Sequence, residues 1–257
     1  MLAAAALAAA VLIGHPNMAL AAGDAAGTTG SAAVPTAYFG NGCFWGRQKD
    51  FVDTELRLGR TNPADISALV GYAGGQKTGP DGKVCYYYNG DPRTIYERLG
   101  HAEVVQVALS QQQQSAQQEF KAFAETYFKQ FQPAPRGRGM MRLDPQDSGA
   151  GYRNVVGLPG GVSSPYFMLL QAANVNGMEL REGRGNVYER GQAAEGDELN
   201  VVWVVDSDEL PFYRAEVYHQ FHNGLGKAFS PAYTRDLKQA VLTSGKIAPT
   251  GCLEVPF

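Results

Sequence analysis

Short apolar runs, separated by polar, Gly-rich and Pro-rich stretches, make up most of the chain. Runs with alternating apolar, β-branched and aromatic residues predict strands at Thr36–Phe39, Ile66–Tyr72, His101–Leu109 and 198–206. Runs with apolar residues three or four positions apart predict helices at 44–58, 115–131, 164–174 and near 233–242. The two kinds alternate only loosely and no repeat is present. We therefore expect one α+β domain over residues 36–257, a two-layer sandwich with helices packed on a mixed sheet.

Two local features refine this pattern. Ser115 followed by Gln118 has the spacing of a capping box, which predicts that a helix begins there. Residues 74–100 are rich in Gly, Pro and Tyr and carry no clear element. Loops of that length within a domain are usually functional or disordered, so we expect long loops around the active site.

Composition narrows the classes of function. The 257 residues are 44% hydrophobic with a net charge of −3, enough for a substantial core. Slight acidity without a Lys/Arg run argues against a nucleic-acid partner. The spacing of the four histidines and three cysteines suggests no metal site and no disulfide framework. An odd number of cysteines leaves at least one free thiol.

The first 30 residues differ from the rest of the chain. A short apolar run, too short to span a bilayer, leads into a small-residue stretch with an A-x-A-like site near 19–21. This predicts an export signal without stable membrane insertion. No Lys or Arg precedes Arg47, so we also consider the second part of an organellar address, such as one for the thylakoid lumen. The alternative is a cytoplasmic protein with a disordered Ala-rich leader.

The segment "GNGCFWG" (40–46) places Cys43 where a predicted strand turns into a helix. A cysteine in the first turn of a helix faces the positive end of the helix dipole and free backbone N–H groups, which favour thiolate. Phe44 and Trp45 would then line an apolar pocket beside the sulfur. The competing interpretation is an inert cysteine packed among aromatic residues.

The strand His101–Leu109 carries Glu103 on the same face as Val105 and Val107, and both of its faces are mostly apolar. Burial raises the pKa of a carboxyl group, and a carboxylic acid that stays protonated near pH 7 can donate a proton. The alternative is a glutamate at the rim of the domain paired with a base such as Arg98.

Five motifs in order resemble the A-type peptide methionine sulfoxide reductases. They are "GCFWG" (42–46), "GYAGG" (71–75), "GHAEVVQV" (100–107), "QDSGAGYRN" (146–154) and "PFYRAEVYHQFH" (211–222). The ordered set covers most of residues 36–225 and is far more specific than any one motif.

The resemblance implies a metal-free reaction without a bound cofactor. Cys43 attacks the sulfur of methionine S-sulfoxide, and Glu103 supplies the proton that the oxygen needs. Tyr152 and a loop tyrosine hold the oxygen, the second being Tyr86, with Tyr87, Tyr88 and Tyr96 as alternatives. Phe44 and Trp45 hold the methyl group, and Asp147 orders the loop that carries Tyr152. The products are methionine and a sulfenic acid on Cys43.

The resemblance also implies a partner thiol. Cys252, near the C-terminus, has the placement of a resolving cysteine, Cys85 competes with it, and direct reduction by a small thiol is a third route. The family implies oxidised proteins or peptides as substrates, a thioredoxin-like reductant and a monomer.

Several features depart from the family pattern. Gln48 replaces a glutamate common in the family, and segments 76–99 and 176–199 are longer than usual, which affects access to the site. Two other functions are considered: a non-catalytic module that binds oxidised methionine or a protein partner, and a Cys–His acyl transferase. The transferase would need His101, His219 or His222 directed at Cys43.

Overall fold

A seven-stranded mixed sheet organises the structure, a computed structural model that describes residues 34–86, 91–144, 147–189 and 192–254. The strands lie in the order β11-β2-β3-β1-β6-β10-β7. Their bounds are β1 Thr36–Gly40, β2 Leu69–Ala73, β3 Ala102–Ala108, β6 Val155–Leu158, β7 Glu179–Glu182, β10 Val201–Asp206 and β11 Tyr213–Arg214. Strands β6, β7 and β10 pair in parallel and the remaining pairs are antiparallel. The expected mixed sheet is confirmed.

Two small hairpins stand apart from this sheet. One joins β4 (Phe131–Pro133) to β5 (Met140–Arg142), and the other joins β8 (Tyr188–Glu189) to β9 (Gln192–Ala193). The first hairpin matters for the site, because β5 ends at Arg142 and leads directly into the loop that carries Tyr152.

Four α-helices in the described ranges complete the α+β architecture. They are α1 Phe44–Arg57, α2 Gln113–Phe128, α3 Phe167–Ala173 and α4 Lys238–Thr243, the last preceded by a π-helical turn at Ala232–Leu237. No helix in the described part of the chain is long and apolar enough to cross a membrane. The residues from Val34 onward form one compact unit, and the proposed signal in residues 1–30 lies outside the described residues.

The alternation of side chains along the strands divides the core between the two faces of the sheet. Phe39 and Val105, which are register partners, pack with residues of helices α1 and α2. Their neighbours Tyr38 and Val104 point the other way, into a smaller apolar cluster with Val155. Both faces of β3 are therefore covered, as its sequence predicts, and a polar residue on this strand is removed from water.

Two predicted boundaries were wrong. Helix α2 begins at Gln113 with Gln112 as its N-cap, so Ser115 lies inside the first turn and does not cap the helix. Strand β2 begins at Leu69 and not at Ile66. The buried Glu55 carboxylate accepts the backbone N–H groups of Ser67 and Ala68 at 2.9–3.1 Å, so these residues bond to a side chain instead of a strand.

We predict that Phe51→Ala lowers the free energy of unfolding by about 3–5 kcal/mol, because Phe51 is fully buried and its removal leaves a cavity. Its ring packs between those of Phe39 and Phe123 at centroid distances of 5.2 and 5.9 Å. Urea unfolding followed by circular dichroism measures the change. The control Leu56→Ala, on the same helix but 44% exposed, should stay within about 0.5 kcal/mol of wild type. Equal losses of unfolding free energy in both variants would contradict the assignment of Phe51 to the core.

Candidate active site

The catalytic candidate Cys43 lies at the junction of strand β1 and helix α1, where the sequence predicts it. The chain turns through Gly42, whose φ of 91° favours glycine, and Cys43 is the N-cap residue of α1. A Cβ on Gly42 would approach the Arg142 side chain to 3.2 Å, so the turn also needs a small residue. The Gly42 N–H donates to the Tyr152 carbonyl at 2.9 Å, which joins this turn to the tyrosine loop.

The first N–H groups of α1 point at two reactive groups. The Phe44 N–H donates to Glu103 Oε2 at 2.9 Å, and the Trp45 N–H acts on Cys43, where it lowers the pKa of the thiol. Both are N–H groups that a helix leaves without an internal partner. The start of α1 therefore holds Cys43 and Glu103 side by side.

Glu103 is 2% exposed, and burial raises the pKa of its carboxyl well above the usual range, partly offset by the Phe44 N–H. Among the described residues no cation pairs with it, so the alternative of a rim glutamate paired with Arg98 is wrong. A protonated, proton-donating Glu103 near neutral pH follows from this environment.

The resting state of Cys43 differs from the sequence prediction. Burial and, next, the nearby Glu103 raise the pKa of the Cys43 thiol well above its ordinary value, and the Trp45 N–H opposes this only partly. The expected thiolate is therefore wrong for the resting protein, because desolvation outweighs the helix terminus. Cys43 rests as a neutral thiol, and it is the one free cysteine among the described residues.

A cluster of three tyrosines meets Glu103 through Tyr96. The Tyr96 hydroxyl lies 3.5 Å from Glu103 Oε1, and the Tyr152 hydroxyl accepts hydrogen bonds from Tyr96 and Tyr86. Burial and then Glu103 raise the pKa of Tyr152 to about 12, so it stays protonated.

Tyr86, the preferred loop tyrosine, stacks on Tyr96 at 5.7 Å, but Tyr96 makes the direct contact with Glu103. Tyr87 and Tyr88 lie outside the described residues. The signal for Tyr96 was available in its position, since a single turn at 97–100 separates it from β3.

Asp147, expected to order the loop that carries Tyr152, also has a side-chain contact with Cys43. Its carboxylate accepts a hydrogen bond from the Cys43 thiol, while burial raises the pKa of the Asp147 carboxyl. Its backbone carbonyl accepts from Arg142 at 3.0 Å. The side chain therefore contacts the candidate nucleophile directly, and the backbone carbonyl takes part in holding the loop.

The two aromatic residues after Cys43 differ in exposure. Phe44 is buried, whereas Trp45 is partly exposed and stacks on His222 at a centroid distance of 3.9 Å. The Trp45 Nε1–H donates to His219 Nδ1 at 3.1 Å. The contacts with His222 and His219 thus fix the Trp45 ring, and part of its surface stays exposed. Such a surface can line a pocket for an apolar group.

The histidines do not support a Cys–His enzyme. Burial lowers the pKa of His219 to about 3, so it is neutral and accepts from Trp45. His101 contacts the backbone of Gly75 and Lys77, and His222 lies on Trp45. The groups that set the charge around Cys43 are carboxyls, which oppose thiolate.

The other two cysteines are joined to each other. Cys85 and Cys252, the two candidates for the resolving cysteine, form a single disulfide across 167 residues with their Cα atoms 5.7 Å apart. Spacing along the chain could not reveal this pair, since the fold brings them together. Glu216 lies beside the two sulfurs and accepts the Tyr86 N–H at 2.8 Å, which ties the disulfide to the tyrosine cluster.

Comparison with known proteins indicates one family. Residues 35–158 match the family model for peptide methionine sulfoxide reductase. The MsrA protein of Methylococcus capsulatus is 29% identical over 185 residues, covering 72% of this chain and 64% of that protein. The MsrA protein of Thermoactinomyces vulgaris is 34% identical over 92 residues, covering 35% of this chain and 60% of that protein.

A solved structure, methionine sulfoxide reductase A of Corynebacterium diphtheriae, is 18% identical, covers 74% of each chain and has a TM-score of 0.38. The chain spans 64% of the first of the curated relatives and 53% of the MsrA protein of Mycolicibacterium vanbaalenii. Residues 35–158 are therefore similar to the peptide methionine sulfoxide reductase family, and the curated relatives that match are MsrA proteins, as the motifs indicate.

We predict that Asp147→Asn lowers the pKa of Cys43, because it removes a negative charge that disfavours thiolate. Iodoacetamide should therefore alkylate Cys43 about 2–10-fold faster at pH 8, up to the factor that one pKa unit gives. The pH dependence of alkylation, read by mass spectrometry of the Cys43 peptide, measures the shift. Asp91→Asn, at an exposed pair with Arg93, is the control and should leave the profile unchanged. A Cys43 pKa that rises in Asp147→Asn would contradict this geometry.

Proposed function

We propose that this protein reduces methionine S-sulfoxide in proteins and peptides to methionine, with Cys43 as nucleophile and Glu103 as acid. One observation carries the proposal: the N-terminus of α1 places a free thiol next to a buried carboxyl whose pKa is raised, beneath a cluster of tyrosine hydroxyls. A sulfoxide needs these three groups, because its sulfur is attacked while its oxygen must be held and protonated.

The reacting atoms balance in the first step. The Cys43 thiolate bonds to the sulfoxide sulfur while the oxygen takes a proton from Glu103. The oxygen then moves to the Cys43 sulfur as the methionine sulfur leaves, giving methionine and a Cys43 sulfenic acid. The sulfoxide is reduced by two electrons and the cysteine is oxidised by two.

The raised pKa of Cys43 makes thiolate formation part of this step. Asp147 accepts the thiol hydrogen bond and is the group placed to take its proton. A bound sulfoxide brings a positive sulfur toward Cys43, which favours thiolate in a site otherwise lined by acids. Reactivity is thus coupled to occupancy, and an idle Cys43 is protected from stray oxidants.

The tyrosines and aromatic residues orient the substrate. Tyr96 and Tyr152 donate to the sulfoxide oxygen, and Tyr86 supports them through its stacking on Tyr96. The partly exposed indole of Trp45, with the buried ring of Phe44 beneath, receives the methyl group.

Two further thiols are needed to return the Cys43 sulfenic acid to the thiol. In the reduced form of the pair, Cys252 or Cys85 condenses with the sulfenic acid and releases water, and an external thioredoxin-like reductant restores the thiols. Because the two cysteines can bond to each other, whichever condenses with Cys43 can be displaced by its neighbour. The reaction uses no bound cofactor. We further propose a monomer in repair of oxidised proteins, exported or organellar on the basis of the sequence of residues 1–30.

We predict that wild type reduces a peptide methionine S-sulfoxide with dithiothreitol, that Cys43→Ser abolishes turnover, and that the R epimer is not reduced. The double variant Cys85→Ser/Cys252→Ser should retain dithiothreitol turnover and lose thioredoxin turnover, because it lacks only the relay thiols. Chromatography of the methionine product measures both. A folded wild type that binds the peptide without reducing it would overturn the proposal and indicate the binding module.

We predict that Tyr96→Phe lowers kcat about tenfold or more relative to wild type, because the Tyr96 hydroxyl is the one next to Glu103. Tyr86→Phe should lower kcat less. Steady-state turnover of the same peptide measures both variants. Tyr166→Phe is the matched control, since this tyrosine packs on Phe120 in the core, and it should leave kcat unchanged. A larger loss of kcat in Tyr86→Phe would contradict this prediction and favour Tyr86, the loop tyrosine preferred from the sequence.

A further inference from the structure

A buried ion pair lies behind the loop that carries Tyr152. Arg142 Nη1 and Nη2 contact Asp197 Oδ1 and Oδ2 at 2.7 and 2.9 Å, and the two side chains are 3% and 9% exposed. Two parallel contacts between guanidinium and carboxylate fix direction as well as distance. The pair is therefore a rigid element.

The pair also bonds to the loop backbone. Arg142 Nη2 donates to the Asp147 carbonyl at 3.0 Å and Nη1 donates to the Tyr152 carbonyl at 3.1 Å. Asp197 Oδ2 accepts the Gly149 N–H at 2.9 Å. The beginning, middle and end of loop 147–152 are thus attached to one ion pair.

Both functional side chains of this loop depend on those attachments. Asp147 contacts the Cys43 thiol, and Tyr152 meets the hydroxyls of Tyr96 and Tyr86. The Tyr152 carbonyl, held by Arg142, also accepts the N–H of Gly42, the residue before Cys43. A displacement of the ion pair would move these contacts together.

The carboxylate comes from outside the family match. Arg142 lies within residues 35–158, whereas Asp197 belongs to segment 176–199, which follows them. The same segment supplies Glu195, 3.6 Å from the buried Arg153, and Arg153 donates to the Ala150 carbonyl at 2.8 Å. This segment thus supports the tyrosine loop through two arginines.

We propose that Asp197 is a positioning residue, which acts through Arg142 to hold Asp147 and Tyr152 at Cys43. The inference rests on the proposed function for its effect on turnover, while the geometry it asserts does not depend on that function. The competing explanation is that the pair only stabilises the fold. A buried ion pair is weak support for stability, since apolar replacement of both partners is often neutral.

The test uses two variants that preserve the fold in different ways. Arg142→Lys keeps the charge opposite Asp197 but loses the fork that reaches both loop carbonyls. The double variant Arg142→Met/Asp197→Leu removes both charges together and leaves none unpaired. Glu198→Gln is the control, because Glu198 adjoins Asp197 but makes an exposed pair with Arg181. Circular dichroism and thermal unfolding confirm the folded state of each.

Two readouts separate positioning from stability. With peptide methionine S-sulfoxide and dithiothreitol, kcat should fall about 10–100-fold in both test variants while KM changes little, since small displacements of catalytic groups cost this much. The alkylation pKa of Cys43 should fall, as in Asp147→Asn. The charged groups facing Cys43 are Glu103, Asp147, Asp144 and Arg47. Of these, Asp147 is the residue whose backbone carbonyl accepts a hydrogen bond from Arg142.

The results decide between the explanations. Folded variants with wild-type kcat and a wild-type Cys43 alkylation profile would overturn the proposal. So would loss of the fold in both variants, which would show that the pair serves stability. A wild type without reductase activity would refute the proposed function. Because alkylation requires no substrate, the Cys43 alkylation profile would still test whether the Arg142–Asp197 ion pair positions Asp147.

Discussion

The hydrogen bond from the Phe44 N–H to Glu103 is the contact on which the site depends. It uses a free N–H at the start of α1 to hold the carboxyl of a central strand beside Cys43, 59 residues away in sequence. Because both faces of β3 are covered, this carboxyl cannot reach water and its pKa rises. The same burial raises the pKa of Cys43. One packing arrangement thus sets the acid and keeps the thiol neutral at rest.

The surrounding polar groups are arranged in support of that pair. The tyrosine cluster closes over Glu103, and the Tyr152 loop is tied to the Cys43 turn through Gly42. The loop is tied in turn to a buried arginine and to a carboxylate from segment 176–199. The unusually long segment, which in sequence is only an insertion, contributes to the geometry of the site.

Much of the architecture could be predicted from local pattern. Strands β1 and β3 and helix α1 lie where alternation and helical spacing put them, because burial on a sheet or helix face imposes those periods on the sequence. The start of α2 and the start of β2 were wrong for a common reason. Both predictions relied on local sequence alone: α2 begins two residues before Ser115 without a side-chain cap, and at β2 the Glu55 carboxylate takes the N–H groups of Ser67 and Ala68.

The sequence by itself determined the resemblance to one family and the position of Cys43 at a helix start, because each rests on local order along the chain. The sequence left two environments open for Glu103, and the structure shows it buried. Only the tertiary structure decided which tyrosine meets Glu103, that Asp147 contacts the thiol, and that Cys85 bonds to Cys252. The ionisation of Cys43 belongs to the second group as well. A helix terminus can be recognised in a sequence, but the desolvation that outweighs it depends on which atoms surround the sulfur.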